Sequence, residues 1–345
     1  MRSAWHGVTA SRPVGRACEA DRVNASVPAA AVLRFGLALL PLDDEHGLEP
    51  FYADLLSGVE EELDRHGASV LVQIVPDLPA EIAAYRRWAD AGLVAGVVVT
   101  NLVEDDPREG ACAALGLPAV LLGGDPHGGG WVVDYDNAGV MRTAVEFLAG
   151  LGHRRLGRVT GPGQYRHTRL RDATYREATA ALGVTGVQVV GDYGAASGTT
   201  GTALLLDAPE PPTAILYDND LMAVAGLAEA GRRGLRVPAD LSLLAWDDSA
   251  LCRVAHPALS AVSHDVHELG AVTAQVLLRA ARGGAPGVEC TPGAAVVARE
   301  STAGPRSRRR AGPGPAPATA PGSAARRCPA PAPAARPGRP PATAG

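Results

Sequence analysis

One repeated pattern constrains this chain more than any other feature. From residue 33 to 298, short apolar runs alternate with stretches whose apolar residues recur every third or fourth position. The clearest copy is 212–248. There the apolar run 214–217 meets the polar cluster Asp218, Asn219 and Asp220, and an alanine-rich period follows with Leu221, Val224, Ala225 and Ala228 on one face. Gly231 and Gly234 end that period, Pro238 prevents its resumption, and a second apolar run closes on Asp247 and Asp248. This is a strand, helix, strand unit, and such units build parallel sheets. Ligands of parallel sheets bind at the carboxyl ends of the strands, which is where both acidic clusters fall.

The same reading places strands at 33–40, 69–75, 94–100, 118–122, 131–133, 155–160, 187–190, 259–262 and 294–298. Helices are expected at 51–66, 80–91, 108–115, 138–151, 170–182, 199–206 and 266–281, several of them closed by glycine. Roughly ten strands alternating with helices mean an α/β protein, and they fit two parallel sheets better than one. A chain of 345 residues also exceeds one ordinary core, so about two folded units are expected. Residues 1–32 show no sustained period, and 304–345 are a Pro, Ala, Gly and Arg tract of low complexity; neither is expected to fold.

Charge narrows the partners. All 32 basic residues are arginine, and eight of them lie in 304–345, where there is no acid. Residues 1–303 therefore carry 24 arginines against 37 acids, a balance of −13, which repels phosphate and makes the folded part a poor nucleic-acid binder by itself. Five scattered cysteines without CxxC spacing point to a reducing, cytoplasmic setting with no disulfide frame and no metal site. The apolar stretch 27–42 is interrupted by Arg34 and reads as a buried first strand, so no membrane span is expected.

Several segments, in order, resemble the LacI/GalR family of bacterial regulators, whose core looks like the periplasmic sugar-binding fold. They include EPFYADLLSGVEEELDRHGASVLVQ (49–73), LPAVLLGGD (117–125), VDYDNAGVMRTAVEFLAGLGHRRLGRVTGP (133–162), RDATYREATAALG (171–183), GDYGAASG (191–198), PTAILYDNDLMAVAGL (212–227), RVPADLSLLAWDD (236–248) and HPALSAVSHDVHELG (256–270). The resemblance implies two Rossmann-like lobes joined by three crossovers. The first would take 33–136 plus the return 264–303, and the second 137–263. It further implies a sugar or nucleoside effector in the cleft between lobes, homodimerisation, and control of operator DNA. Members of the family begin with a helix-turn-helix headpiece of about 45 residues. Only about 33 residues precede the first core strand here, with too few apolar positions for a three-helix reader, so this chain is expected to be the effector core without one.

Six residues are candidate ligand contacts. Asp220 stands where a strand gives way to a helix, and the resemblance makes its carboxylate an acceptor for ligand hydroxyls; helix capping is the plainer role. Arg171 precedes Tyr175 by four residues, as the family's ligand-binding arginine precedes an aromatic, although Thr174 replaces the family glycine. A guanidinium suits paired ligand oxygens. Phe51 and Tyr52 open the first helix, where the family stacks an aromatic on its ligand; in a chain with 4% aromatics two together are notable. Tyr193 is a further candidate for the cleft wall, and Asp247 follows a strand as a weaker one. Asp136 and Asn137 are expected to cap and cross over, and His153 to sit as a structural cation at a helix end.

No GxSxG, HExxH or Walker loop appears, and GGDPHGGG lacks the strand-to-helix context of a phosphate loop. The expectation is therefore a regulator's sensor and not an enzyme, with no cofactor. A sugar-binding receptor of a transporter, with the same fold and no role on DNA, is the alternative.

Overall fold

The computed structural model describes residues 32–41, 48–291 and 293–305. The expectations for the N-terminal segment, including the missing headpiece, and for nearly all of the C-terminal tract lie outside the described residues.

The first seven elements alternate strand with helix, and an eighth, a strand, follows: β1 (Leu33–Leu39), α1 (Pro50–Asp64), β2 (Ala68–Ile74), α2 (Leu78–Asp90), β3 (Val97–Val99), α3 (Pro107–Ala114), β4 (Ala119–Leu122) and β5 (Trp131–Asp134). The chain then crosses into α4 (Asn137–Gly150), β6 (Arg155–Thr160), α5 (Arg166–Ala181), β7 (Thr185–Val190), α6 (Ala195–Leu206), β8 (Ala214–Tyr217), α7 (Asp220–Arg232), β9 (Ser242–Trp246), α8 (Ala250–Val254) and β10 (Ser260–Ser263). It returns through α9 (Val266–Ala281), β11 (Val288–Cys290) and β12 (Ala295–Val297).

Two six-stranded sheets result, ordered β11-β5-β4-β3-β1-β2 and β12-β10-β9-β8-β6-β7. Every pairing is parallel except β10 with β12. The central strands β3, β8 and β9 are buried at every position, as strands covered by helices on both faces must be. Each sheet carries an apolar cluster on either face.

Two departures from the sequence reading have physical causes. Strand β11 was not expected, because its three residues Val288, Glu289 and Cys290 show no apolar run; pairing with β5 selects them. The return segment is also shared between the sheets. β11 closes the first, but β12 lies antiparallel on β10 of the second, and Ser301 follows it there, donating to the Leu243 carbonyl at 2.7 Å. So the segment from β12 onward packs with the second sheet, where a first lobe including all of 264–303 had been expected.

Helix starts are fixed by side chains. Asp77, Asp106, Asn219 and Asp265 each accept a backbone N–H in the first turn of α2, α3, α7 and α9. Helices α1 and α9 cross so closely that glycine is required: a Cβ on Gly58 would stand 1.9 Å from the His267 carbonyl oxygen, and one on Gly270 2.2 Å from that of Leu55. Cys112 and Cys252 are free and buried.

Candidate functional site

The carboxyl ends of the strands of both sheets face a common, narrow cleft of about 40 Å³. Glu49, Phe51, Tyr52, Asn101 and Tyr135 line it from the first sheet's side, and His167, Arg171, Tyr193, Asp218 and Asp247 from the second's. Of the six sequence candidates, Phe51, Tyr52, Arg171, Tyr193 and Asp247 meet here. Asp220 does not line this cleft.

Arg171 is buried on α5. Its Nε donates to Asn137 Oδ1 at 2.7 Å and its Nη1 to the Asp218 carbonyl at 3.4 Å, while the guanidinium lies 3.8 Å from the ring centre of Trp246. The indole face and two neutral oxygens thus hold the cation in place, and among the described residues no carboxylate forms an ion pair with it. Asp218 is engaged elsewhere. It accepts from Arg158 Nε at 2.7 Å and Nη2 at 2.6 Å, and from the Gly161 N–H at 3.1 Å. Burial alone would raise its pKa, but the Arg158 guanidinium outweighs it and holds the carboxyl below the usual range.

Tyr193 sits in the left-handed region at φ 74°, uncommon for a residue with a side chain. Its hydroxyl shares a 2.6 Å hydrogen bond with His167 Nε2, and its ring stacks with Tyr165 at 6.5 Å between centres. The ring also lies so close to Gly161 that a Cβ there would be 2.2 Å away. Burial, with the nearby Arg171, lowers the His167 pKa to about 3, so the ring is neutral at pH 7.

The remaining acids are poorly partnered. Glu49, half-buried, accepts a 3.3 Å hydrogen bond from Asn219 Nδ2 across the cleft. Burial pushes its pKa up to about 7. Asp247, at φ 67°, has Oδ1 buried with no hydrogen-bond partner, and burial holds it well above the ordinary aspartate value. Asp220 occupies the first turn of α7, with Asn219 as the cap. It is 2% exposed, its Oδ2 is unpartnered, and burial raises its pKa against hydrogen bonds from Ser249 and from backbone.

His264 was not singled out from the sequence. It lies on the crossover from β10 to α9, stacked on Tyr135 at 5.1 Å, with neither ring nitrogen hydrogen-bonded. Burial lowers its pKa to about 4. Glu49, Asn101, Tyr135 and His167 were also missed; the first three sit just beyond an element end and His167 in the first turn of α5, where only tertiary approach brings them to the cleft. Asp136 caps α4 as expected, accepting from the Gly139 N–H at 2.9 Å. His153 differs from expectation: it is 1% exposed, burial lowers its pKa, and it binds Thr213 Oγ1 at 2.8 Å and the Ala303 carbonyl at 2.9 Å as a neutral tie, not a cation.

The two walls also touch directly. The Arg166 N–H donates to the Leu102 carbonyl at 2.7 Å, Val103 pairs with Tyr165, Arg166 meets Asp125 at 2.9 Å, and Arg169 pairs with Glu104. Among the described residues, no group of three or more His, Cys, Asp or Glu is placed to hold a metal ion, and no helix is long and apolar enough to cross a membrane.

Two parallel sheets joined by crossovers, with a polar and aromatic cleft at their carboxyl ends, define a binding fold of the periplasmic-binding-protein type. A model of the periplasmic binding protein-like domain matches residues 145–302. The transcriptional regulator CelR of Thermobifida fusca is 30% identical over 236 residues, covering 67% of this chain and 69% of that protein. Among solved structures, a LacI family transcriptional regulator from Bifidobacterium animalis subsp. lactis superposes with a TM-score of 0.72 at 33% identity, over 79% of this chain and 98% of that one. A CelR–cellobiose complex superposes with a TM-score of 0.71 at 28% identity, over 78% and 84%. The chain belongs to the LacI family of transcriptional regulators. These relatives are regulators and neither enzymes nor transport receptors, so the receptor alternative finds no support among them.

Proposed function

We propose that this chain is the effector-sensing part of a cytoplasmic regulator, and that a sugar-like molecule binds in the cleft between its two sheets. One observation carries the reading: a buried guanidinium that has no ion pair among the described residues, the unpartnered Oδ1 of Asp247 and aromatic faces from both sides converge on one cavity. Arg171 donates to ligand oxygens, Phe51, Tyr52 and Tyr193 stack on the ligand's apolar faces, and Asp247 accepts from its hydroxyls. Asp220 acts from behind this wall, through Ser249. The CelR–cellobiose complex supports a carbohydrate as the kind of ligand.

Two lobes move as bodies in this reading, one built on the first sheet and one on the second together with β12. A ligand that touches both favours the arrangement in which the walls meet, and that bias is passed on to operator DNA through a homodimer. Thermal-shift screening of sugars and nucleosides on the full chain and on Arg171→Ala tests the site. A ligand that raises the melting temperature of the first and not of the second is expected; equal stabilisation of both would remove Arg171 from the site. An electrophoretic shift with a palindromic operator from its own gene neighbourhood tests the DNA step.

A further inference from the structure

The charges on the cleft wall do not balance. Asp218 is neutralised by Arg158, which leaves Glu49 and Asp247 on the wall against Arg171. Behind them Asp220 presents another carboxylate oxygen without a partner. Asp247 Oδ1 has no hydrogen bond although the residue is 9% exposed, and its nearest basic group is His264 Nε2 at 3.9 Å. That imidazole, with its pKa lowered to about 4, is neutral at pH 7 and supplies no counter-charge. The protein therefore provides two exposed-to-cleft carboxyls and one free cation among the described residues.

The same cavity is faced by the rings of Phe51, Tyr52, Tyr135 and Tyr193. Carboxylates set among aromatic faces are the environment that best receives an ammonium: the rings attract it through their quadrupoles and the acids through charge-assisted hydrogen bonds. A phosphorylated or carboxylated sugar would meet the opposite situation, several acids for one guanidinium. Taking the cleft as the effector site, on which this step rests, we infer that the effector is an amino sugar, its hydroxyls held by Arg171 and its protonated amine by Asp247 and Glu49. Burial, with repulsion from Asp220 and opposed by Arg171, raises the pKa of Glu49 to about 7, and burial together with the acids around it raises that of Asp247 above its ordinary value. An ammonium reverses that balance, so its binding releases protons and strengthens as pH rises through about 7.

Isothermal titration of the full chain at pH 7 with glucosamine and its β-1,4-linked dimer, beside glucose, cellobiose and N-acetylglucosamine, tests this. The amines are expected to bind at least about tenfold more tightly than the matching neutral sugars, the difference a charged hydrogen bond makes over a neutral one. Asp247→Asn and Glu49→Gln should each bring that ratio towards one; if either variant fails to fold, the wild-type ratio and its rise between pH 6 and pH 7 still decide. Equal or tighter binding of the neutral or N-acetylated sugars overturns the amine and leaves a sugar cleft standing. Binding of none of the five, with a nucleoside binding instead, overturns the amino sugar alone; no cleft ligand of any kind overturns the effector site with it.

Discussion

Asp218→Asn isolates the ion pair that builds the second wall of the cleft. Asp218 and Arg158 are both fully buried, joined by two hydrogen bonds of 2.7 and 2.6 Å, with a third from the Gly161 N–H at 3.1 Å. Asparagine keeps the volume but loses the charge, and turns one acceptor into a donor facing the guanidinium. Breaking one partner of such a buried pair costs about 3–5 kcal/mol. The lower end applies here, about 3 kcal/mol, because Asp172 still accepts from Arg158 Nη1 at 2.6 Å. Urea unfolding at pH 7, followed by tryptophan fluorescence, measures it; Trp246 is buried in the sheet concerned. The folded pKa of Asp218 is lowered, so the pair's stabilisation is complete above the ordinary aspartate value of 3.8 and is lost as pH falls through the lower folded one. The gap between wild type and variant should therefore be full at pH 7 and shrink only in strong acid. As a comparison, Glu289→Gln breaks the half-exposed pair with Arg279 and should cost about 0.2–1 kcal/mol. A loss below about 1 kcal/mol for Asp218→Asn, no larger than a surface pair contributes, would refute the reasoning.

Other perturbations test neighbouring parts of the account. Gly58→Ala drives a methyl group into the His267 carbonyl and should cost at least about 1–3 kcal/mol of overpacking, seen as a lower urea midpoint; an unchanged midpoint would mean that α1 and α9 can separate cheaply. Glu49 has a folded pKa raised from 4.5 to about 7, so the wild type loses stability as pH rises across that interval. Glu49→Gln should then melt higher than wild type at pH 8 and nearly level with it at pH 4, and the same difference at both values would contradict the raised pKa. Arg171→Ala should abolish ligand-induced stabilisation, read by thermal shift.

The fold was legible where the chain follows periodic rules. The buried runs of β8 and β9 and the three- and four-residue spacing of α7 are set locally, so 212–248 could be read directly. β11 could not, since a Val-Glu-Cys triplet becomes a strand only beside β5. The site was legible where residue type and chain position coincide: Phe51 and Tyr52 at the start of α1, and Arg171 four residues before Tyr175. It was not legible for His264 or Tyr135, whose stacking depends on two crossovers meeting, nor for the division of labour among Asp218, Asn219 and Asp220. Adjacent in sequence, these three do different things. One balances Arg158, one caps α7 and reaches Glu49, and one is buried beside Ser249. Only the tertiary position of Arg158 tells them apart.

The central claim is that one small molecule is held between two lobes. Hydrogen exchange of the full chain, with and without a sugar that stabilises it, tests that claim most directly. The account predicts slowed exchange on both walls together, around residues 49–52 and 101–103 on one side and 165–171 and 193 on the other. Stabilisation with protection confined to one sheet, or lying outside these segments, would contradict it.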